Sequence, residues 1–198
     1  LARSTRLLIS DESTAMIDRA GRAEMLDLLA SLPARGIAVV HLTHDPAESA
    51  RADRVVAICG GRIVSDRRAG EGALLIDEAG DPLASPGPGA PGLSASSAAG
   101  APALINADHL WADRVAHTYD LGTPWEKPVL RDVSLILEPG QAMLITGDNG
   151  SGKTTLSRVL TGLLLPTWGA VTLGGKPMER RVGDVALSMQ FARLQLQR

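Results

Sequence analysis

The sequence lacks the features that mark several classes of protein. Its single cysteine, Cys59, excludes a disulfide framework and a metal site built from clustered thiols. A free cysteine of this kind is most often a buried, unreactive core residue. A net charge of -2 gives none of the positive surface that binds nucleic acid or acidic membranes. There is no signal peptide, and apolar runs such as residues 163–165 are too short to cross a bilayer. These absences predict a soluble, cytoplasmic protein that can still dock on a membrane partner.

The composition is nevertheless sufficient for a folded domain. The chain has 198 residues, of which 44% are hydrophobic, and this is enough apolar material for one sizeable core or two small ones. It begins at Leu1 rather than at a methionine, and it stops at Arg198 within a predicted loop. Both ends therefore look as though they were cut from a longer chain.

The first segment, residues 1–77, alternates predicted strands and helices. Apolar runs that end at polar residues indicate buried parallel strands, and apolar residues at helical spacing indicate a helix that proline and glycine terminate. We predict, in order, a buried strand over 7–10, a helix over 22–32, a buried strand over 37–42, a short helix after the N-cap Asp45, and a hairpin over 55–64 with a Gly-Gly turn.

The second segment, residues 104–198, follows a stretch over 78–103 that is rich in proline, glycine, alanine and serine and reads as a flexible linker. We predict strands over 110–119, 129–137 and 142–146, a helix over 153–165, and strands over 170–173 and 185–189. Alternation of strands and helices in both segments predicts an α/β fold with a mostly parallel sheet and additional antiparallel β elements.

A glycine-rich loop over residues 147–154 has the pattern Gly-x-x-x-x-Gly-Lys-Thr. It lies between a predicted buried strand and a predicted helix, the context in which this pattern binds phosphate. Glycines let successive N–H groups point at phosphate oxygens, and the helix dipole adds to the attraction. Lys153 is expected to reach the β- and γ-phosphates, and the Thr154 hydroxyl is expected to ligate Mg²⁺. The alternative is a glycine-rich turn that matches by accident. We predict ATP as the ligand, with contacts from Asn149, Gly150, Ser151, Gly152, Lys153, Thr154 and Thr155.

Two carboxylates and a histidine follow the two buried strands of the first segment. Asp11 and Glu12 follow the strand over 7–10, and His44 follows the strand over 37–42. In open α/β sheets, ligands bind at the carboxyl ends of the strands. Asp11 would therefore hold Mg²⁺, and Glu12 would polarise the attacking water as a general base. The alternatives are an ordinary acidic loop and a structural histidine, but the two motifs together are a stronger signal than either alone.

With these motifs in place, the sequence resembles the nucleotide-binding subunits of ATP-binding cassette (ABC) transporters. Residues 147–155 are similar to the Walker A loop of that family. Residues 11–18 resemble its Walker B motif running into the D-loop, with Ser13 where the family usually has proline. Residues 43–45 resemble the switch-histidine loop, whose histidine contacts the γ-phosphate. The resemblance implies a P-loop NTPase core of the RecA-like type, ATP and Mg²⁺ as ligands, and ATP hydrolysis.

Two further residues take roles only through this resemblance. Gln190, at the end of a predicted strand, resembles the Q-loop glutamine, a Mg²⁺ and coupling contact; a surface glutamine is the alternative. Tyr119 resembles the aromatic residue that stacks on adenine; a core tyrosine is the alternative. The stretches 119–126 and 190–196 resemble energy-coupling-factor or cobalt-type importers. By resemblance, the catalytic residues are Glu12, His44 and Gln190, and the metal ligands are Thr154, Gln190 and Asp11.

The order of the motifs departs from that of one cassette. A cassette of this family runs Walker A, Q-loop, helical subdomain with its signature, Walker B and switch histidine, whereas here Walker B and the histidine come first. The sequence contains no Leu-Ser-Gly-Gly signature. We therefore interpret residues 1–77 as the C-terminal half of a first cassette and residues 104–198 as the N-terminal half of a second, with the helical subdomain absent.

These two halves are complementary parts of one fold. Each half alone leaves apolar strand faces uncovered, and burying such faces is worth about 25 cal/mol per Å². We predict that the halves dock as a permuted composite core. A separation well over about 15 Å between Asp11 and Lys153 would contradict this, because shared phosphate and Mg²⁺ chemistry needs them close. The alternative is two half-domains that pack poorly and move independently.

Three functions fit this sequence. The first is the ATP-hydrolysing component of a membrane transporter, located at the inner face of the cell membrane with a transmembrane subunit and a second cassette as partners. The second is a soluble ABC-type ATPase of translation or DNA repair, which the linker composition disfavours because those proteins tend to carry charged helical linkers. The third is a module that binds ATP without turnover, since the signature that completes the site is missing. We predict no nucleic-acid partner.

Overall fold

A computed structural model of the chain describes residues 5–14, 17–68 and 109–189. The predicted linker over 78–103 and the predicted Q-loop residue Gln190 lie outside these ranges. The first segment contains the strands β1 (Leu7–Asp11), β2 (Ala38–Thr43), β3 (Arg54–Cys59) and β4 (Arg62–Arg68), the helix α1 (Arg19–Ser31), and short 3-10 helices over Pro33–Arg35 and Pro46–Arg51.

The second segment contributes six strands and one α-helix to the described residues. These are β5 (Leu110–Tyr119), β6 (Lys127–Leu137), β7 (Ala142–Thr146), α2 (Lys153–Leu160), β8 (Trp168–Leu173), β9 (Lys176–Pro177) and β10 (Val185–Met189), with 3-10 helices over Met178–Arg180 and Val182–Asp184. The predicted strands are therefore all present: three keep the predicted bounds, four are longer by one or two residues, β2 lies one residue later, and β4 continues to Arg68. The short strand β9 was not predicted.

The two helices differ from the sequence prediction at their ends. Helix α1 begins three residues before the predicted Arg22, because the Asp18 carboxylate caps it by accepting a hydrogen bond of 3.1 Å from the Gly21 amide. Helix α2 ends at Leu160 and not at the predicted 165, because Gly162 adopts a left-handed φ of 75° directly after its last turn. Neither α-helix of the described ranges is long and apolar enough to cross a membrane.

Strands of both segments interleave in one sheet. Its six strands have the order β10-β1-β2-β7-β3-β4, and all neighbours are parallel except the β3–β4 hairpin. A second sheet of four antiparallel strands, in the order β6-β5-β8-β9, comes from the second segment alone. The mostly parallel α/β fold with antiparallel elements is confirmed, and the two segments share one sheet as the composite hypothesis predicts.

Side chains of the parallel strands alternate between the two faces of the large sheet. On one face, Leu7 and Ile9 of β1 are part of the main core, to which α2 and the antiparallel sheet also contribute side chains. On the other face, Leu8 packs with a smaller cluster that contains Leu29 of α1. The large sheet therefore lies between two layers, with α1 on one side and α2 with the second sheet on the other. Cys59, at the end of β3, is a free and partly buried thiol.

Candidate nucleotide-binding site

The glycine-rich loop joins the end of β7 to the start of α2. A β-carbon on Gly147 would lie 2.3 Å from the Ile58 carbonyl oxygen, so only glycine fits there. Gly152 precedes the helix with a left-handed φ of 105°, a conformation that glycine adopts without strain. Between them, Asn149 and Gly150 form an exposed tip. The backbone geometry is thus that of a tight turn that delivers the chain into a helix N-terminus.

Lys153 is held inside this loop. Its side-chain nitrogen donates hydrogen bonds of 2.7 and 3.0 Å to the carbonyl oxygens of Gly147 and Asp148, and the residue is 4% exposed. The same Nζ atom lies 3.5 Å from Glu12 Oε1 of the first segment. A nearly buried ammonium is tolerated only with such partners. The loop therefore presents one fixed positive charge next to a carboxylate from the other segment.

Asp11 meets the start of α2 from the end of β1. Its Oδ2 atom accepts a 2.9 Å hydrogen bond from the Ser157 hydroxyl, and its Oδ1 atom lies 3.5 Å from Thr154 Oγ1. The carboxylate is 4% exposed. Atoms of the two segments are thus in direct contact, far inside the separation of about 15 Å that the composite hypothesis allows. The half-domains do not pack poorly; they share this cluster.

Glu12 and His44 lie together at the carboxyl ends of β1 and β2. The Glu12 backbone has a left-handed φ of 49°, and its amide donates to the Leu42 carbonyl oxygen at 2.9 Å. Its Oε1 atom lies 3.6 Å from His44 Nδ1, and the His44 side chain is 55% exposed. Glu12 Oε1 is therefore flanked by His44 on one side and by Lys153 on the other.

Tyr119 lies beside the first turn of α2. Its hydroxyl is 3.3 Å from the Thr155 hydroxyl, and its ring meets His117 edge to face with centroids 4.6 Å apart. The tyrosine is half-buried, so the structure places it at the rim of the loop rather than deep in the core. Of the individually predicted site residues, only Gln190 lies outside the described ranges; residues 15–16 of the predicted D-loop and residues 191–196 also lie outside them.

Sequence reasoning missed two residues that shape the site. Ser157, fully buried, holds Asp11 as described, and its position four residues after Lys153 places both on one helix face. Gly61, in the β3–β4 turn, donates its amide to the Ser151 carbonyl oxygen at 3.0 Å and so supports the loop from the first segment. The helical spacing could have found Ser157. The predicted Gly-Gly turn contains Gly61, but no local signal points to its hydrogen bond with Ser151.

Comparison with known proteins connects this geometry to a family. A family model described as ABC transporter matches residues 130–197. Over its whole length, the chain is 40% identical to an uncharacterized ABC transporter ATP-binding protein of Mycobacterium tuberculosis, of which it covers 26%. It is 31% identical to a putative ABC transporter ATP-binding protein of Bifidobacterium longum, across 90% of this chain and 25% of that protein.

Shorter matches point in the same direction. Across 39% of the chain, the identity to an energy-coupling factor transporter ATP-binding protein of Thermotoga maritima is 44%, with 30% of that protein covered. The chain spans about a quarter of the length of the longer relatives. Residues 130–197 therefore belong to the ABC transporter family, and the chain as a whole is similar to ATP-binding proteins of that family.

Proposed function

We propose that this chain binds ATP at the 147–154 loop and is part of the ATP-hydrolysing component of an ABC transporter. The observation that carries the proposal is the meeting of the two segments. Lys153 Nζ lies 3.5 Å from Glu12 Oε1, and Thr154 Oγ1 lies 3.5 Å from Asp11 Oδ1. A cation, a hydroxyl and two carboxylates in this arrangement are what phosphoryl chemistry requires.

The loop offers open donors to phosphate oxygens. In the described part of the chain, no side chain caps the N-terminus of α2, so its first amides are free to bind an anion. The Ser151 hydroxyl is buried without a hydrogen-bond partner among the described residues. Lys153 would add its charge at the β- and γ-phosphates. Asn149, Gly150 and Gly152 would contribute backbone contacts, and Tyr119 would stack on the base beside Thr155.

A magnesium ion would suit the oxygen donors next to the loop. Carboxylate and hydroxyl oxygens together with substrate phosphates are the usual ligands of Mg²⁺, and Asp11 with Thr154 offers such a pair. Ser157 fixes the second carboxylate oxygen of Asp11, which keeps the first directed at Thr154. When bound, the ion would neutralise charge on the phosphate oxygens. Gln190 would be a further contact.

Glu12 and His44 would act at the terminal phosphate. Glu12 accepts protons as a carboxylate and would polarise the attacking water, while His44 would contact the γ-phosphate. Their separation of 3.6 Å supports a shared role. Binding of Mg²⁺-ATP would compete with the carbonyl oxygens for the Lys153 ammonium and draw it toward the phosphates.

The setting in the whole protein is also a proposal. Residues 1–77 would belong to one cassette and 104–198 to a second, joined by the linker over 78–103. The names of the relatives support a transporter rather than a translation or repair factor, and the energy-coupling factor match supports that subfamily. A transmembrane subunit and a second cassette would be the partners, at the inner face of the cell membrane.

Substitution of Lys153 tests the binding step. We expect Lys153→Ala to weaken ATP binding by about 100-fold or more, since it removes a nearly buried charge that would pair with phosphate. Lys176→Ala removes an exposed lysine on β9 and should leave the affinity unchanged. Isothermal titration with ATP and Mg²⁺ measures both. Equal affinity of the two variants would refute binding at this loop.

Substitution of Glu12 tests turnover. If the chain hydrolyses ATP, Glu12→Gln should lower kcat by at least about 100-fold while ATP still binds, because the amide cannot accept the proton of water. Phosphate release under single-turnover conditions is the measurement. Tight binding without any turnover by the unmodified chain would instead favour the module that binds ATP without hydrolysis.

A further inference from the structure

Buried polar side chains lie on the face of the large sheet that α1 covers, opposite the phosphate loop. Ser10 and His41 are register partners in β1 and β2, and they are 0% and 5% exposed. Neighbouring residues of a strand point to opposite faces. Ser10 therefore shares the α1 face with Leu8, whereas Asp11 faces α2 and the site. The function proposed above does not use this polar cluster.

Three hydrogen bonds connect the cluster into a continuous path. The hydroxyl oxygens of Ser13 and Ser10 are 2.5 Å apart, and Ser10 Oγ is 3.1 Å from His41 Nδ1. His41 Nε2 lies 2.8 Å from Glu48 Oε2, and Glu48 is 5% exposed. With its proton on Nε2, the imidazole donates to Glu48 and accepts from Ser10, which in turn accepts from Ser13. Both ring nitrogens are engaged, so the ring orientation is fixed.

The ends of the path lie on the two loops that carry the candidate catalytic groups. Ser13 directly follows Glu12, whose backbone is left-handed with φ 49°. Such a conformation is costly for a residue other than glycine and persists where surrounding contacts hold it. Glu48 lies in the 3-10 helix that follows His44, and the Asp45 side chain caps that helix. The path thus ties the loop of Glu12 to the loop of His44 behind the sheet.

We propose that Ser13, Ser10, His41 and Glu48 are positioning residues that set the Glu12 carboxylate relative to His44. The inference rests on the proposed ATP-binding function. The Ser13 side chain connects its turn to His41 through Ser10, so a displacement of either loop would shift the other.

Amide hydrogen exchange on the nucleotide-free chain tests the connection. The Glu12 amide, bonded to the Leu42 carbonyl oxygen, reports on its loop. Glu48→Leu should speed its exchange about tenfold, the equivalent of one lost hydrogen bond, while amides of β5 and β6 keep their protection. Glu48→Gln retains an oxygen that accepts from His41 and should stay within about threefold of the parent. An increase spread evenly over both sheets, or none at Glu12, would overturn the proposal.

Kinetics test whether the path positions a catalytic group. We expect Ser13→Ala to lower kcat about tenfold with KM unchanged, and the double variant with Glu48→Leu to fall no further, because the path is already broken. Ser31→Ala, which removes an exposed hydroxyl of α1, is the matched control. If the two substitutions lowered kcat independently, so that their effects multiplied in the double variant, these residues would have only a structural role. If the parent chain binds no ATP, the proposed function fails, and the exchange result alone then decides the connection between the loops.

Discussion

The two sheets of this molecule are assembled in different ways. The antiparallel sheet β6-β5-β8-β9 comes from the second segment alone, while the large sheet places β1 and β2 of the first segment between β10 and β7 of the second. Antiparallel neighbours can be joined by a short turn, whereas parallel neighbours must come from parts of the chain that are distant in sequence. The candidate site lies at the carboxyl ends of β1, β2 and β7. The chemistry is therefore concentrated where the two segments must meet.

The largest expected effect comes from the core that both sheets share. Leu42 of β2 and Leu137 of β6 are each fully buried in the main cluster. We expect Leu42→Ala and Leu137→Ala each to lower the free energy of unfolding by about 3 kcal/mol. Thermal and chemical denaturation should retain a single transition, since one core supports both sheets. Leu121→Ala, at a residue 58% exposed, should change little. Two separate transitions would show that the sheets are independent.

A smaller effect is expected where the first segment touches β6. A β-carbon on Gly61 would lie 2.1 Å from the Val129 carbonyl oxygen, whereas one on Gly60 would meet nothing within 4 Å. Both glycines have positive φ, so both alanine variants carry a strain of about 1 kcal/mol. Gly61→Ala should cost at least about 1 kcal/mol more, as measured by urea denaturation. Equal losses would mean that the turn does not pack on β6.

The smallest expected effect concerns Arg54 of β3, which contacts β4 in its own sheet and β6 in the antiparallel sheet. Its Nη1 atom donates to the Ile136 carbonyl oxygen of β6, and its Nε atom donates to Asp66 at 2.6 Å. Arg54→Met should lower the free energy of unfolding by about 1 kcal/mol. Arg51→Ala, which breaks a solvent-exposed pair with Asp27, should cost less than about 0.5 kcal/mol. Differential scanning calorimetry of both variants is the measurement. A larger loss of stability for Arg51→Ala than for Arg54→Met would show that the contact between the sheets is unimportant.

Local signals were sufficient for most of the secondary structure. The strands at Ala142–Thr146 and Val185–Met189 have the predicted bounds, because a run of apolar residues between turn residues marks a buried strand. The helix ends were less predictable. The Asp18 cap lengthens α1, and Gly162 shortens α2, since each terminus depends on one side chain or one φ angle rather than on periodicity.

For the candidate site, residue identities were more predictable than their partners. Lys153, Thr154, Asp11 and Glu12 stand in motifs whose chemistry can be read from their spacing. The contact of Asp11 with Ser157, and the path from Ser13 to Glu48, could not be read in this way. They depend on strand register and on which face each strand turns toward α1 or α2.

Sequence patterns alone were sufficient to place the glycine-rich loop, both α-helices and nine of the ten strands in the described ranges, because glycine conformation, apolar periodicity and helix capping act over a few residues. The tertiary structure was needed to show that the Lys153 loop and the Asp11–Glu12 pair lie side by side, with Lys153 Nζ 3.5 Å from Glu12 Oε1. The two motifs lie in different segments, far apart along the chain, yet apolar strands from both segments are buried together in one core. The free energy gained by burying apolar surface does not depend on the order of the motifs along the chain. This burial places Asp11 next to Thr154.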